Sequence, residues 1–157
     1  MADQIQLADL PARRYLGVHR VVDPDDIGQA CAEEYPRLSG WLNAHGVAPD
    51  GPPTLLLHSL EWDEGPVQIT PAFFVPIQVE PDRDDPELVT GQTPSGQALV
   101  STHVGPYSEL RRAWEEMLSR AELLNRQVAG TPWEVHRDDP RVVAPEQLRT
   151  ELILPLH

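Results

Sequence analysis

Glu134 and His136 stand two positions apart in the run Trp133-Glu134-Val135-His136. On a strand, side chains two apart leave the same face, so a carboxylate and an imidazole meet there. Such a pair can move a proton to or from a bound molecule, or set a negative charge against a cation. Trp133 and Val135 then take the opposite face, which is expected to pack on a helix. Tyr107 opens the helix that follows His103-Val104-Gly105-Pro106 and adds a third polar group to the pocket, with a staple of that helix to the sheet as the alternative reading. Glu151, on the last strand, is a further carboxylate, with a solvated or arginine-paired acid as the alternative reading. The six histidines show no metal-ligand spacing, no glycine-rich loop joins a strand to a helix, and no Gly-x-Ser-x-Gly elbow occurs. No metal and no cofactor is therefore expected.

The elements that must position these residues come as a repeat. Leu16–Asn43 aligns without a gap over Ala98–Asn125 at an offset of 82, with seven identities in 28 positions, among them Val18 with Val100 and Pro24 with Pro106. Each copy reads strand, helix, strand, strand. The opening strands are Tyr15–Val22 and Ala98–Val104. Each helix starts with proline at its first position, as in Asp23-Pro24-Asp25-Asp26. The second helix carries Leu110, Trp114, Met117, Ala121, Leu124 and Val128 at three- and four-residue steps and ends before Gly130. The first carries Ile27, Cys31, Tyr35, Leu38 and Leu42, ends near Gly46, and is expected to kink or divide at Pro36. The closing strands are Thr54–Trp62 and Phe73–Val79, then Trp133–Arg137 and Leu148–Leu156.

The copies cover about 13–79 and 97–157, with a linker rich in proline, aspartate and glycine over 80–96. Neither copy alone covers its sheet. The expected fold is α+β, an antiparallel sheet with two helices on one face and a ligand groove at the pseudo-twofold seam. By register between the copies, Ser59 and Glu61 share the face of Glu134 and His136, and Trp62 turns to the helix. Glu61, Trp62 and Phe73 join the candidate ligand-binding set, while Trp41 and Trp114 read as core.

The net charge is −13, and all twelve basic residues are arginine. Such a surface repels phosphate backbones and favours cationic small molecules, so no direct nucleic-acid partner is expected. The longest apolar run is a few residues, so no membrane span is expected. The start MADQIQLADL lacks a signal-peptide pattern, and the one cysteine, Cys31, has no partner for an internal disulfide. Both point to the cytoplasm. Cys31 reads as a buried small hydrophobe.

His103-Val104-Gly105-Pro106-Tyr107, the helix with Trp114, Trp133-Glu134-Val135-His136 before Asp139-Pro140, and the ending Thr150-Glu151-Leu152-Ile153-Leu154-Pro155-Leu156 occur in that order. This order resembles the GyrI-like small-molecule-binding domain, which also forms the effector-binding part of bacterial multidrug-sensing regulators. The resemblance runs from roughly Arg13 to the end. It implies the doubled fold, a pocket between the halves, and bulky hydrophobic cations held among aromatic rings by a glutamate in a Glu-x-Tyr pattern. That glutamate falls on Glu134, and His136 replaces the tyrosine. Without the pattern, Glu134 reads as a surface acid. The regulators' separate DNA-binding domain is not expected within these 157 residues. Three functions are implied. One is a stand-alone binding module for a small aromatic, cationic compound. The second is a hydrolase opening the cyclopropane of DNA-alkylating antibiotics, with Glu134, His136 and Tyr107 as its catalytic groups. The third is an acidic interaction protein, with a protein partner, that protects DNA gyrase.

Overall fold

The computed structural model describes residues 5–63, 65–81 and 83–157. Nine strands and two helices are present among them, the strand pairs set out below are antiparallel, and the fold is α+β. The chain divides into two compact units, Ala12–Thr93 and a second made of Pro94–His157 with the first residues up to Pro11.

The unit central in sequence contains β2 (Arg14–Val18), β3 (Arg20–Val22), α1 (Ile27–Ala44), β4 (Thr54–Leu57), β5 (Val67–Phe74) and β6 (Leu88–Gln92). Strand β5 pairs with β4, with β2 and with β3, and β2 also pairs with β6. Leu38 and Leu42 of α1 pack on Leu16, Val18, Phe73, Val75 and Leu88. Arg20 reaches Glu34 of α1 at 3.0 Å. Gly17 permits close strand contact, since a Cβ there would lie 2.5 Å from Thr70 Cγ2 and 2.8 Å from the Pro71 carbonyl oxygen.

The other unit contains β1 (Gln6–Leu10), β7 (Gly96–Val104), α2 (Leu110–Leu123), β8 (Trp133–His136) and β9 (Arg149–Pro155). The strands lie in the order β1-β7-β9-β8. Helix α2 buries Leu110, Ala113, Trp114, Met117 and Ala121, the face its periodicity predicts.

Both helices stop the same way. Gly46 (φ 69°) and Asn125 (φ 56°) take the left-handed conformation. Val47 N–H then bonds to the Leu42 carbonyl, and Arg126 N–H to that of Ala121. These are Schellman closures, and glycine and asparagine are the residues that enter that region at low cost.

Several sequence expectations are corrected. Segment 80–96 is not only a linker, because β6 lies in it and adds a strand beside β2. Strand β4 stops at Leu57, and Trp62 folds back to donate its indole N–H to the Ser59 carbonyl. Strand β5 begins at Val67 and ends at Phe74, not Phe73–Val79. Helix α2 ends at Leu123, which leaves Leu124 and Val128 exposed. Helix α1 runs through Pro36 unbroken. Pro36 and Ala32, the residue whose carbonyl the missing N–H leaves without its helical partner, are both exposed. Strand β1 had no counterpart in the expected elements.

The repeat itself is shifted by one residue. The helices begin at Ile27 and Leu110, a separation of 110 − 27 = 83 rather than 82. A one-residue shift on a strand exchanges its two faces. The structural pairing sets Leu16 over Leu99 and Arg20 over His103, and β4 over β8 with Leu55 at Glu134 and Leu57 at His136.

Candidate functional site

Strand β8 is four residues long and pairs with β9, Glu134 opposite Leu152 and His136 opposite Thr150. Glu134 is only 2% exposed. Its Oε2 accepts the indole N–H of Trp114 at 2.8 Å, and its Oε1 lies 2.9 Å from His136 Nε2. The Tyr107 ring stacks on His136, with centroids 5.4 Å apart and planes 29° apart. Glu134, His136, Tyr107 and Trp114 thus form one group in one unit.

This geometry corrects the assignment of faces. Glu134 and His136, not Trp133 and Val135, point towards the helix, because Trp114 belongs to α2. Trp133 and Val135 are buried on the opposite face. Trp114, read as core, is core and also the carboxylate's donor. No arginine pairs with Glu134 among the described residues; its ion-pair partner is His136.

A second polar pair adjoins the first. Thr150 lies between His136 and His103, its partners on β8 and β7, and directly opposed residues share a face. Thr150 is fully buried and His103 is 4% exposed. Thr150 Oγ1 and His103 Nε2 have no hydrogen-bond partner among the described residues. Glu109 Oε2 is 3.8 Å from His103 Nε2, too far for a hydrogen bond. Between them sits Gly105 at φ 147°, where a Cβ would come within 2.9 Å of Glu109 Oε2 and 3.3 Å of His103 Nε2. Sequence reading noted His103 only as part of a motif and gave Thr150 no role. Their places opposite one another on β7 and β9 were the missing signal.

Comparison of the two copies isolates what is special here. Where β8 carries Glu134 and His136, β4 carries Leu55 and Leu57, both buried. Where α2 has Trp114, α1 has Cys31, and where β9 has Thr150, β5 has Ile69. The strand–helix–strand–strand unit is therefore stable with an apolar set at these positions. The polar set at these positions belongs to the second copy alone.

The remaining candidates lie elsewhere. Glu151 is opposite Val135, on the other face of β8 and β9, and accepts a 2.7 Å bond from Arg137 Nε. The arginine-paired reading of Glu151 holds. Glu61 is exposed in the loop after β4, where strand parity no longer applies. Trp62 is half-buried in the same loop. Phe73 faces α1 in the core, edge-on to Tyr35 at 5.8 Å. Cys31 is buried. No group of three metal-ligating side chains occurs among the described residues, and no helix there is long and apolar enough to cross a membrane.

A family model described as the GyrI-like small molecule binding domain matches residues 3–157. The chain belongs to that family. No curated protein matches it. Among solved structures, it is similar to the EcmrR C-terminal domain (TM-score 0.83, 18% identity, covering 98% of this chain and 97% of that one). It spans 57% of the EcmrR chain in a complex with DNA. It is also similar to a Listeria innocua hydrolase (0.68, 20%, 98% and 92%) and to SAV2435 bound to tetraphenylphosphonium (0.63, 13%, 99% and 94%). At these identities the likeness is one of fold. In this GyrI-like domain the His136 imidazole stands within hydrogen-bond distance of the Glu134 carboxylate.

Proposed function

We propose that this chain holds a bulky aromatic cation with Glu134 as its counter-charge, as a sequestering or sensing module. The observation that carries the reading is a carboxylate almost wholly removed from water with no arginine beside it. A buried anion is costly unless paired, and a Trp N–H with one imidazole compensates it less fully than a permanent cation does. A cationic ligand offsets that cost. Tyr107, His136 and Trp114 supply rings beside the charge, and a cation over an aromatic face gains about 0.5–2 kcal/mol per ring. The net charge of −13 raises the local concentration of cations.

The test is a calorimetric titration with tetraphenylphosphonium, followed by mass analysis of the recovered compound. The parent is expected to bind it and return it unchanged. Glu134→Gln, which keeps an acceptor for Trp114, should bind at least about tenfold more weakly at an unchanged melting temperature. Equal affinity of parent and variant would remove Glu134 from the site.

A second reading is hydrolysis of a strained cyclopropane, as found in DNA-alkylating antibiotics. The 2.9 Å carboxylate–imidazole contact favours it, since such a pair can take a proton from an attacking water. Turnover would yield a product heavier by one water, which the same mass analysis detects.

A further inference from the structure

We infer that His103 and Thr150 form a second subsite that holds a neutral oxygen, a hydroxyl of the ligand or a water, beside the charge-binding subsite at Glu134. The inference rests on the reading above that the Glu134 site takes a ligand. Its own footing is separate, because the two atoms it starts from, His103 Nε2 and Thr150 Oγ1, make no hydrogen bond with Glu134.

Buried polar atoms in folded proteins nearly always have a partner, and an unpaired one marks either a strained group or a place kept for something else. Here two such atoms, His103 Nε2 and Thr150 Oγ1, belong to residues directly opposite each other on β7 and β9. Their Cβ atoms are about 4.5–5.5 Å apart by the geometry of such pairs. Thr150 is in turn opposite His136, which contacts Glu134. A row of His103, Thr150 and His136 therefore crosses three strands on the helix side. Gly105 adds no side chain of its own beside His103 Nε2, where a Cβ would come within 3.3 Å of that nitrogen. The equivalents of His103 and Thr150 in the first copy, Arg20 and Ile69, strand no buried polar atom: Arg20 reaches Glu34 and Glu33, and Ile69 is buried core.

The chemistry of the pair sets the class of ligand group. A hydroxyl or water both donates and accepts, so it satisfies the threonine hydroxyl and the imidazole nitrogen whichever tautomer the ring adopts. An anion is disfavoured by Glu109, whose carboxylate oxygen is 3.8 Å from the same nitrogen. The ligand that fits both subsites is an aromatic cation carrying a hydroxyl a few ångströms from its charge.

Tetraphenylphosphonium and the 3- and 4-hydroxyphenyl-triphenylphosphonium ions separate the two claims. Failure of all three to bind the parent protein would overturn the Glu134 reading. If they bind, one hydroxylated isomer is expected to bind about tenfold more tightly than tetraphenylphosphonium. Thr150→Val should erase that difference. Thr150→Ser should restore it. Crystals distinguish the sources: a water within hydrogen-bond distance of both atoms in the tetraphenylphosphonium complex, replaced by the probe's oxygen in the other. The inference falls if no isomer gains affinity, if Thr150→Val keeps the full gain, or if neither complex has an oxygen there.

Discussion

Trp114 donates its indole N–H to Oε2 of Glu134 over 2.8 Å, and each residue is only 2% exposed. The bond ties helix α2 to strand β8 at a place where the first copy has Cys31 and Leu55. A charge-assisted bond in so dry a setting is strong, and its loss leaves the carboxylate short of a partner.

Trp114→Phe is expected to cost about 1.5–3 kcal/mol in urea denaturation, because a buried charged group loses a hydrogen bond. In a Glu134→Leu background the same change should cost less, since no carboxylate remains to be stranded. Equal costs in the two backgrounds would mean that the ring matters for packing alone.

Replacing Glu134 and His136 by leucine and Trp114 by phenylalanine together gives β8 the residues of β4 and leaves no indole N–H without its acceptor. The melting temperature should stay the same or rise, as apolar replacements of buried polar pairs are often neutral or stabilising. Binding of tetraphenylphosphonium should be lost. A large loss of stability would show that the pair supports the fold.

The glycines divide by surroundings. Gly17→Ala would force a Cβ to within 2.5 Å of Thr70 and should destabilise by more than about 2 kcal/mol. Gly28 and Gly40 of α1 have nothing within 4 Å of an added Cβ, so alanine at either should stabilise by about 0.4–1 kcal/mol. Thermal or chemical denaturation of the three variants checks the contrast.

Acid should weaken the central unit through His58. Burial first, and the nearby His19 second, hold its pKa below the usual 6.5. The unfolded chain therefore takes up the proton before the folded one. The stability due to neutral His58 is complete above about 6.5 and declines as pH falls from there towards the folded value. Urea midpoints at pH 7.5 and 5.0 should differ less in His58→Gln than in the parent.

Much of this was legible in the sequence. The apolar periodicity of α2 gave its buried face because packing and period agree. Pro24, first in the turn that leads into α1, and Gly46, just past its end, marked that helix for local reasons that tertiary structure did not override, while Pro106 stands one residue before its turn rather than in it. The shared face of Glu134 and His136 followed from strand parity. Which face that was did not follow, because both faces of β8 are buried and Trp133 looks more like a helix-packing residue than Glu134. The gap-free match at offset 82 gathered identities one residue out of structural register, and a strand reports such a slip as an exchange of faces. His103 and Thr150 are 47 positions apart, and only the pairing of β7 with β9 makes them neighbours. Phe73 looked like a ring for a ligand because an aromatic on a strand carries no mark of which side it will line.

Strand β1 pairs along its length with β7, Gln6 opposite Val100 through Leu10 opposite Gly96. The half that bears Glu134 is thus assembled from both ends of the described chain, and no single cut releases it whole. A protease nick or an expression boundary near residue 94 would strip that half of its outermost strand, and an alteration at Gln6–Leu10 would be felt by the half that lies farthest from it in sequence.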